Sequence, residues 1–260
     1  MSFSRTRRMF VLAIASMGMG VSSATAQVEA YSQDFEAMDL LDTAALSTDG
    51  WIGSVNVFDE FYFTWLYGYF GFPANNDPAF PQMSHLVTGL GDPAQGSNQL
   101  AVYSDYSNGD HSTTLNVFEG YVYREQAITT ENVGQTLTLT FDARIGDLSG
   151  MSQAFAFFKT LDPNAGWATV DWPVMDLTSI PATWDTYSMS LPVTEGMVGL
   201  VLQYGFFTVA SNNEPSTIYV DNVSLTGPPP PCPADFNGDG VLDNGDIGDF
   251  VQAFLAGCSN

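Results

Sequence analysis

Between Thr136 and Arg144 apolar and polar residues alternate without a break. Leu137, Leu139, Phe141 and Ala143 fall on one face, and Thr136, Thr138, Thr140, Asp142 and Arg144 on the other. Successive side chains of an extended chain point to opposite sides, so a period of two specifies a strand with one buried face. Further strand-like runs lie at Gln99–Ser104, Thr114–Phe118, Gln153–Leu161, Trp184–Val193, Met197–Phe206 and Thr217–Leu225. Turn residues separate them, and no amphipathic helical pattern longer than two turns precedes the last thirty or so residues. Many short strands without intervening helices predict one mainly β domain, a β-sandwich, over residues 28–226.

Residues 1–26 read as an export signal. Arg5, Arg7 and Arg8 precede the apolar stretch Met9–Val21, and Ala24-Thr25-Ala26 supplies small residues for cleavage. Thr6-Arg7-Arg8-Met9-Phe10 also resembles a twin-arginine signal, so two export routes stay open. No later stretch has the length and polarity of a membrane span. The expectation is a secreted protein, extracellular or held at a cell surface. Removing the signal leaves Arg124, Arg144 and Lys159 against 29 acidic residues, a formal charge of −26. Such a surface repels nucleic acid and anionic membranes, which argues against both as partners.

The chain's last acidic stretch, Asp235 to Asp246, reads DFNGDGVLDNGD. Asp235, Asn237 and Asp239 stand at positions one, three and five of a twelve-residue loop, with Gly240 at the sharp turn. The Val241 carbonyl, Asp243 and Asp246 follow at seven, nine and twelve. Hard oxygen donors at this spacing form an EF-hand loop for Ca²⁺. Ile247, Phe250, Val251, Phe254 and Leu255 then recur at helical spacing, and Gly257 ends the helix. Residues 227–231 form a proline linker, and with Pro233 they forbid an entering helix. Residues 232–260 therefore resemble a dockerin repeat, a calcium loop with an exiting helix only. The resemblance implies a docking partner, a cohesin-like or cell-surface protein. Cys232 and Cys258, the only cysteines, bracket the cassette. In an exported chain they read as a disulfide, worth about 3–4 kcal/mol in the chain-entropy model.

Two ends of the β domain carry a second resemblance. Ser32-Gln33-Asp34-Phe35-Glu36 opens it and Ile218-Tyr219-Val220-Asp221-Asn222-Val223-Ser224-Leu225 closes it, with Trp184-Asp185-Thr186-Tyr187-Ser188 between. This order resembles the jelly-roll carbohydrate-binding modules of the galactose-binding-like superfamily. The resemblance implies a structural Ca²⁺ held by Glu36 and Asp221 where the first and last strands meet. It also implies an extracellular polysaccharide as ligand, read by aromatic faces.

Aromatic residues are plentiful in one run, Phe61 to Phe70. If the run is extended, Trp65, Tyr67 and Tyr69 share a face, and a row of rings can stack on sugar C–H groups. Rings also fill cores, so platform and packing both remain open. Trp167 and Trp172 are further candidates. Lys159 shares strand parity with Phe155 and Phe157, and is expected either to meet a carboxylate or to line a binding face. No strand carries the clustered acids of glycan hydrolases, no GxSxG occurs, and His85 and His111 are the only histidines. No catalytic residue stands out. Three readings follow: a glycan-binding module with a docking cassette, a structural or adhesive surface protein, and a glycan-active hydrolase or lyase.

Overall fold

The computed structural model describes residues 28–77, 83–104, 114–211, 214–227 and 244–256. The β-sandwich expected from the alternating strands is the fold, followed by a C-terminal helix. Two antiparallel sheets face each other. The six-stranded sheet contains β1 (Tyr31–Gln33), β4 (Ser84–Thr88), β5 (Asn98–Val102), β7 (Thr136–Leu148), β11 (Asp185–Pro192) and β13 (Ser216–Thr226). Its order is β11-β7-β13-β5-β4, with β1 also paired to β13. The seven-stranded sheet contains β2 (Ile52–Phe58), β3 (Trp65–Pro73), β6 (Val117–Ala127), β8 (Gln153–Asp162), β9 (Ala168–Asp171), β10 (Val174–Asp176) and β12 (Val201–Ser211). Its order is β10-β8-β12-β6-β2-β3, with β9 also on β8.

The period of two in β7 does what it predicts. Leu137, Leu139, Phe141 and Ala143 are fully buried between the sheets. They meet Val122, Ala154, Ala156, Phe158, Leu202, Tyr204 and Phe206 from the facing sheet. Each large side chain so buried contributes about 1.5–3 kcal/mol. Some boundaries differ from the sequence expectation. Residues Glu195–Met197 make a 3-10 turn, and Gly199 follows at φ +84°, so the late strand begins only at Val201. The run at Thr114 likewise becomes strand only at Val117.

A second apolar cluster lies on the other side of the seven-stranded sheet. Val117, Tyr121, Tyr123, Phe157, Phe207 and Val209 are buried there, with Ile52, Phe58, Tyr62, Phe155 and Trp172 packed against them. This sheet is therefore apolar on both faces. Doubled aromatics explain how: Phe157-Phe158 and Phe206-Phe207 send one ring each way, because neighbours on a strand point oppositely.

At the C-terminal end, α2 (Asn244–Ala256) forms where the apolar stripe predicts it; the single-turn α1 is Ala45–Thr48. Among the described residues no helix is long and apolar enough to cross a membrane.

Candidate functional site

The outer face of the seven-stranded sheet is built from register. Phe207 on β12 is paired with Phe155 on β8 and Tyr121 on β6. Their rings stack in sequence, each pair 4.7 Å apart and within 18° of parallel. One rung along, Gly205 lies between Phe157 and Tyr123. Their rings approach to 6.3 Å above it. A Cβ at Gly205 would come 2.4 Å from the Val122 carbonyl, so the strands pass this close only over glycine. Trp172, just before β10, tilts over Phe207 at 5.7 Å.

Lys159 crosses this aromatic ground. Its Nζ lies 5.2 Å from the Trp172 ring and 5.8 Å from the Tyr121 ring. The negative faces of the rings attract the ammonium. Burial lowers its pKa, while the nearby charge of Glu119 raises it. Of the two expectations for Lys159, the carboxylate partner is not met among the described residues, where the salt bridge is Arg124 to Asp49, at 3.1 Å. Glu125, next along the strand, accepts from Gln203 Nε2 at 2.8 Å.

Glu119 is buried on the same face. Its Oε2 accepts from the Tyr121 hydroxyl at 2.8 Å and from Asn56 Nδ2 at 3.1 Å. Its Oε1 accepts from the Tyr62 hydroxyl. Trp65 Nε1 donates to Asn56 Oδ1 at 3.1 Å, extending the chain of donors outward. Burial pushes the Glu119 carboxyl above its ordinary range, and the three donors and the Lys159 charge pull it back. Tyr121 is raised by burial and by the Glu119 charge beside it.

The aromatic candidates on β3 separate. Val57 pairs with Tyr67 but Phe58 pairs with Trp65, so one residue is skipped between them. This bulge turns Trp65 to the outer face, beside Asn56, and leaves Tyr67 on the inner side with Val55, Val57, Met83 and Phe118. Tyr69 stands edge-on to Tyr67 at 6.2 Å and is exposed. Trp65, Tyr67 and Tyr69 therefore form no single row. Trp167 lies in the turn after β8 with φ +65°, half-buried, and is not among the rings packed on the outer face. Trp172 is. The sequence reading did not single out Tyr121, Phe207, Glu119, Asn56 or Tyr62. The doubled phenylalanines and the parity of Lys159 with two of them were the available signals.

A second candidate site lies where β1 and β13 meet. Asp221 is fully buried, and its Oδ2 has no hydrogen-bond partner. Its Oδ1 accepts the Asn222 N–H at 2.6 Å, with Asn222 held at φ +46°. Burial first, and then the negative charges of Glu36 and Asp142, push its pKa up to about 7. Gln95 donates Nε2 to Asp142 Oδ2 at 2.8 Å, and its own Oε1 is buried without a donor. Glu36 Oε1 accepts the backbone N–H groups of Ser97 and Asn98 at 2.6 and 2.7 Å. Two orphaned acceptor oxygens beside clustered carboxylates lack a positive charge, which is what a hard divalent cation supplies. Among the described residues no group of three or more His, Cys, Asp or Glu side chains is arranged to hold a metal. A cation here would rest on Asp221, Glu36, the Gln95 amide oxygen and backbone carbonyls.

Of the calcium loop, Asp235, Asn237, Asp239, Val241 and Asp243 lie outside the described residues, as do Cys232 and Cys258 and the signal at 1–26. Asp246 is described: it lies in the first turn of α2 and is buried. On the same helix Ile247, Phe250 and Val251 are exposed.

No protein-family model matches the chain. No curated protein matches it in sequence. Among solved structures it is similar to a carbohydrate-binding module of the β-sandwich superfamily described as promiscuous in specificity. The two share 16% identity at a TM-score of 0.41, over 79% of this chain and 64% of that one. It is also similar to a Stig cyclase from Fischerella sp. TAU, at 16% identity and a TM-score of 0.42, over 77% and 99% of the two chains. A third similarity is to the enzymatically active domain of tailspike protein 4 of bacteriophage CBA120, at 15% identity and a TM-score of 0.37. There 55% of this chain spans only 18% of the tailspike chain. At these scores none of the three hands a ligand or an activity to this protein.

Proposed function

We propose that this is an exported, non-catalytic glycan-binding module, with the outer face of the seven-stranded sheet as its ligand face. The observation that carries the reading is the stacked row Phe155–Phe207–Tyr121, bordered by Trp172 and by the Trp65–Asn56–Glu119 chain of hydrogen bonds. Aromatic faces suit the C–H surface of a sugar ring, and the amide, hydroxyl and ammonium groups around them suit its oxygens. Tyr121 and Phe207 form the floor, while half-buried Trp172, Tyr62 and Trp65 are the rings a sugar meets first.

Calcium has a structural part in this reading. Asp221, Glu36 and the Gln95 oxygen hold one ion at the β1–β13 junction. The loop from Asp235 to Asp246 holds another and orders α2, with Cys232 and Cys258 joined across the cassette. The exposed Ile247, Phe250 and Val251 are the surface that a cohesin-like or cell-surface partner covers.

Binding to extracellular polysaccharides, measured by pull-down and affinity electrophoresis, tests the ligand face. Trp172→Ala is expected to lose at least about tenfold in affinity with an unchanged circular dichroism spectrum. A clean negative across polysaccharides favours the structural or adhesive reading. Release of reducing ends or unsaturated products favours the enzyme.

A further inference from the structure

Lys159 is the chain's only lysine, and its placement deepens the proposal just made, on which the following rests. The ammonium faces the Trp172 and Tyr121 rings at 5.2 and 5.8 Å, and among the described residues it makes no hydrogen bond or ion pair. Rings attract a cation but accept its N–H groups poorly. Glu119, the carboxylate whose charge reaches it, has both oxygens taken by Tyr62, Tyr121 and Asn56, and no ion pair within 4.0 Å joins the two. Beside Lys159, Trp172 Nε1 is buried with no partner of its own. Trp172 Nε1 thus lacks a partner, and the charged ammonium beside its ring has none within the described protein.

We infer that the Lys159–Trp172 corner takes the carboxylate of an acidic sugar residue, so the glycan is one that carries uronic acids. A sugar hydroxyl accepts too, but it must also place its proton. The Glu119 oxygens and Asn56 Oδ1 already receive donors. A carboxylate only accepts, through two oxygens, and brings the charge the ammonium lacks. The protein's strong net negative charge opposes a long run of carboxylates. The corner therefore suits a glycan in which uronates are spaced along or branch from a neutral backbone.

The test is an array of glucuronoxylan, gellan, alginate and homogalacturonan oligosaccharides, each beside its carboxyl-reduced form, with neutral xylans, glucans and mannans. Wild-type protein is expected to bind at least one acidic oligosaccharide at least about tenfold more tightly than its reduced counterpart. Lys159→Met, which keeps nearly the volume of the side chain without its charge, is expected to erase that difference. If the variant does not fold, wild-type protein labelled by ¹³C reductive methylation serves instead. Its one ε-dimethylamino resonance is then expected to shift with the acidic sugar and not with the reduced one. Equal binding of acidic and reduced forms, or a methyl resonance indifferent to the carboxylate, overturns the inference and leaves the glycan reading standing. Absence of binding to every glycan on the array overturns both.

Discussion

Asp221 is the residue whose surroundings ask most of it. An aspartate at about 7 in the folded chain and near 3.8 when unfolded binds its proton more tightly when folded. The stability this lends the metal-free protein is fully present below about pH 4. It is lost as pH rises through about 7. In the proposed reading, a bound Ca²⁺ would remove the penalty by giving the carboxylate a cation. Added Ca²⁺ is therefore expected to raise the melting temperature more at pH 8 than at pH 5, measured by calorimetry. Asp221→Asn is expected to melt higher than wild type in chelator at pH 8 and to lose part of the calcium response. Glu119 behaves oppositely: its three donors want an acceptor, and Glu119→Gln brings an NH₂ group among them. Denaturant titration should show a loss of about 1–3 kcal/mol.

At the scale of elements, legibility followed solvation. The β7 strand could be read because one face is buried and the other is polar, which writes a period of two into the residues. The β2 strand could not: Gly53, Ser54 and Val55 are buried in succession, so both faces are covered and alternation vanishes. The bulge that turns Trp65 outward leaves no mark in composition, and a row of Trp65, Tyr67 and Tyr69 drawn from parity alone fails at that point. Glu36 and Asp221, the candidate calcium ligands at the β1–β13 junction, were legible through the family resemblance at the ends of the domain. Gln95, reaching the same corner from a turn before β5, was not, because only folding brings it there. The α2 helix was legible from its stripe and its stop. Ile247, Phe250 and Val251 on it are exposed, and in the proposed reading the calcium loop and disulfide hold it in place. Chelation with reduction is expected to make α2 sensitive to proteolysis while the sandwich stays intact. Equal resistance of α2 before and after both treatments contradicts that dependence.

The whole molecule combines a sandwich packed on both faces of one sheet with an acidic surface. The second apolar cluster is an expensive thing to build on a face that could have been polar. Its rings, its one ammonium and its buried carboxylate make a surface suited to a sugar. The five tryptophans allow a direct view of this face, because each indole N–H gives its own resonance in a ¹H–¹⁵N spectrum. Titrating the calcium-loaded protein with a bound oligosaccharide is the decisive measurement. The account predicts that the Trp172 and Trp65 indole signals move, while Trp51, buried in the core, stays fixed. Saturating glycan that leaves Trp172 and Trp65 unmoved would place binding elsewhere and contradict it.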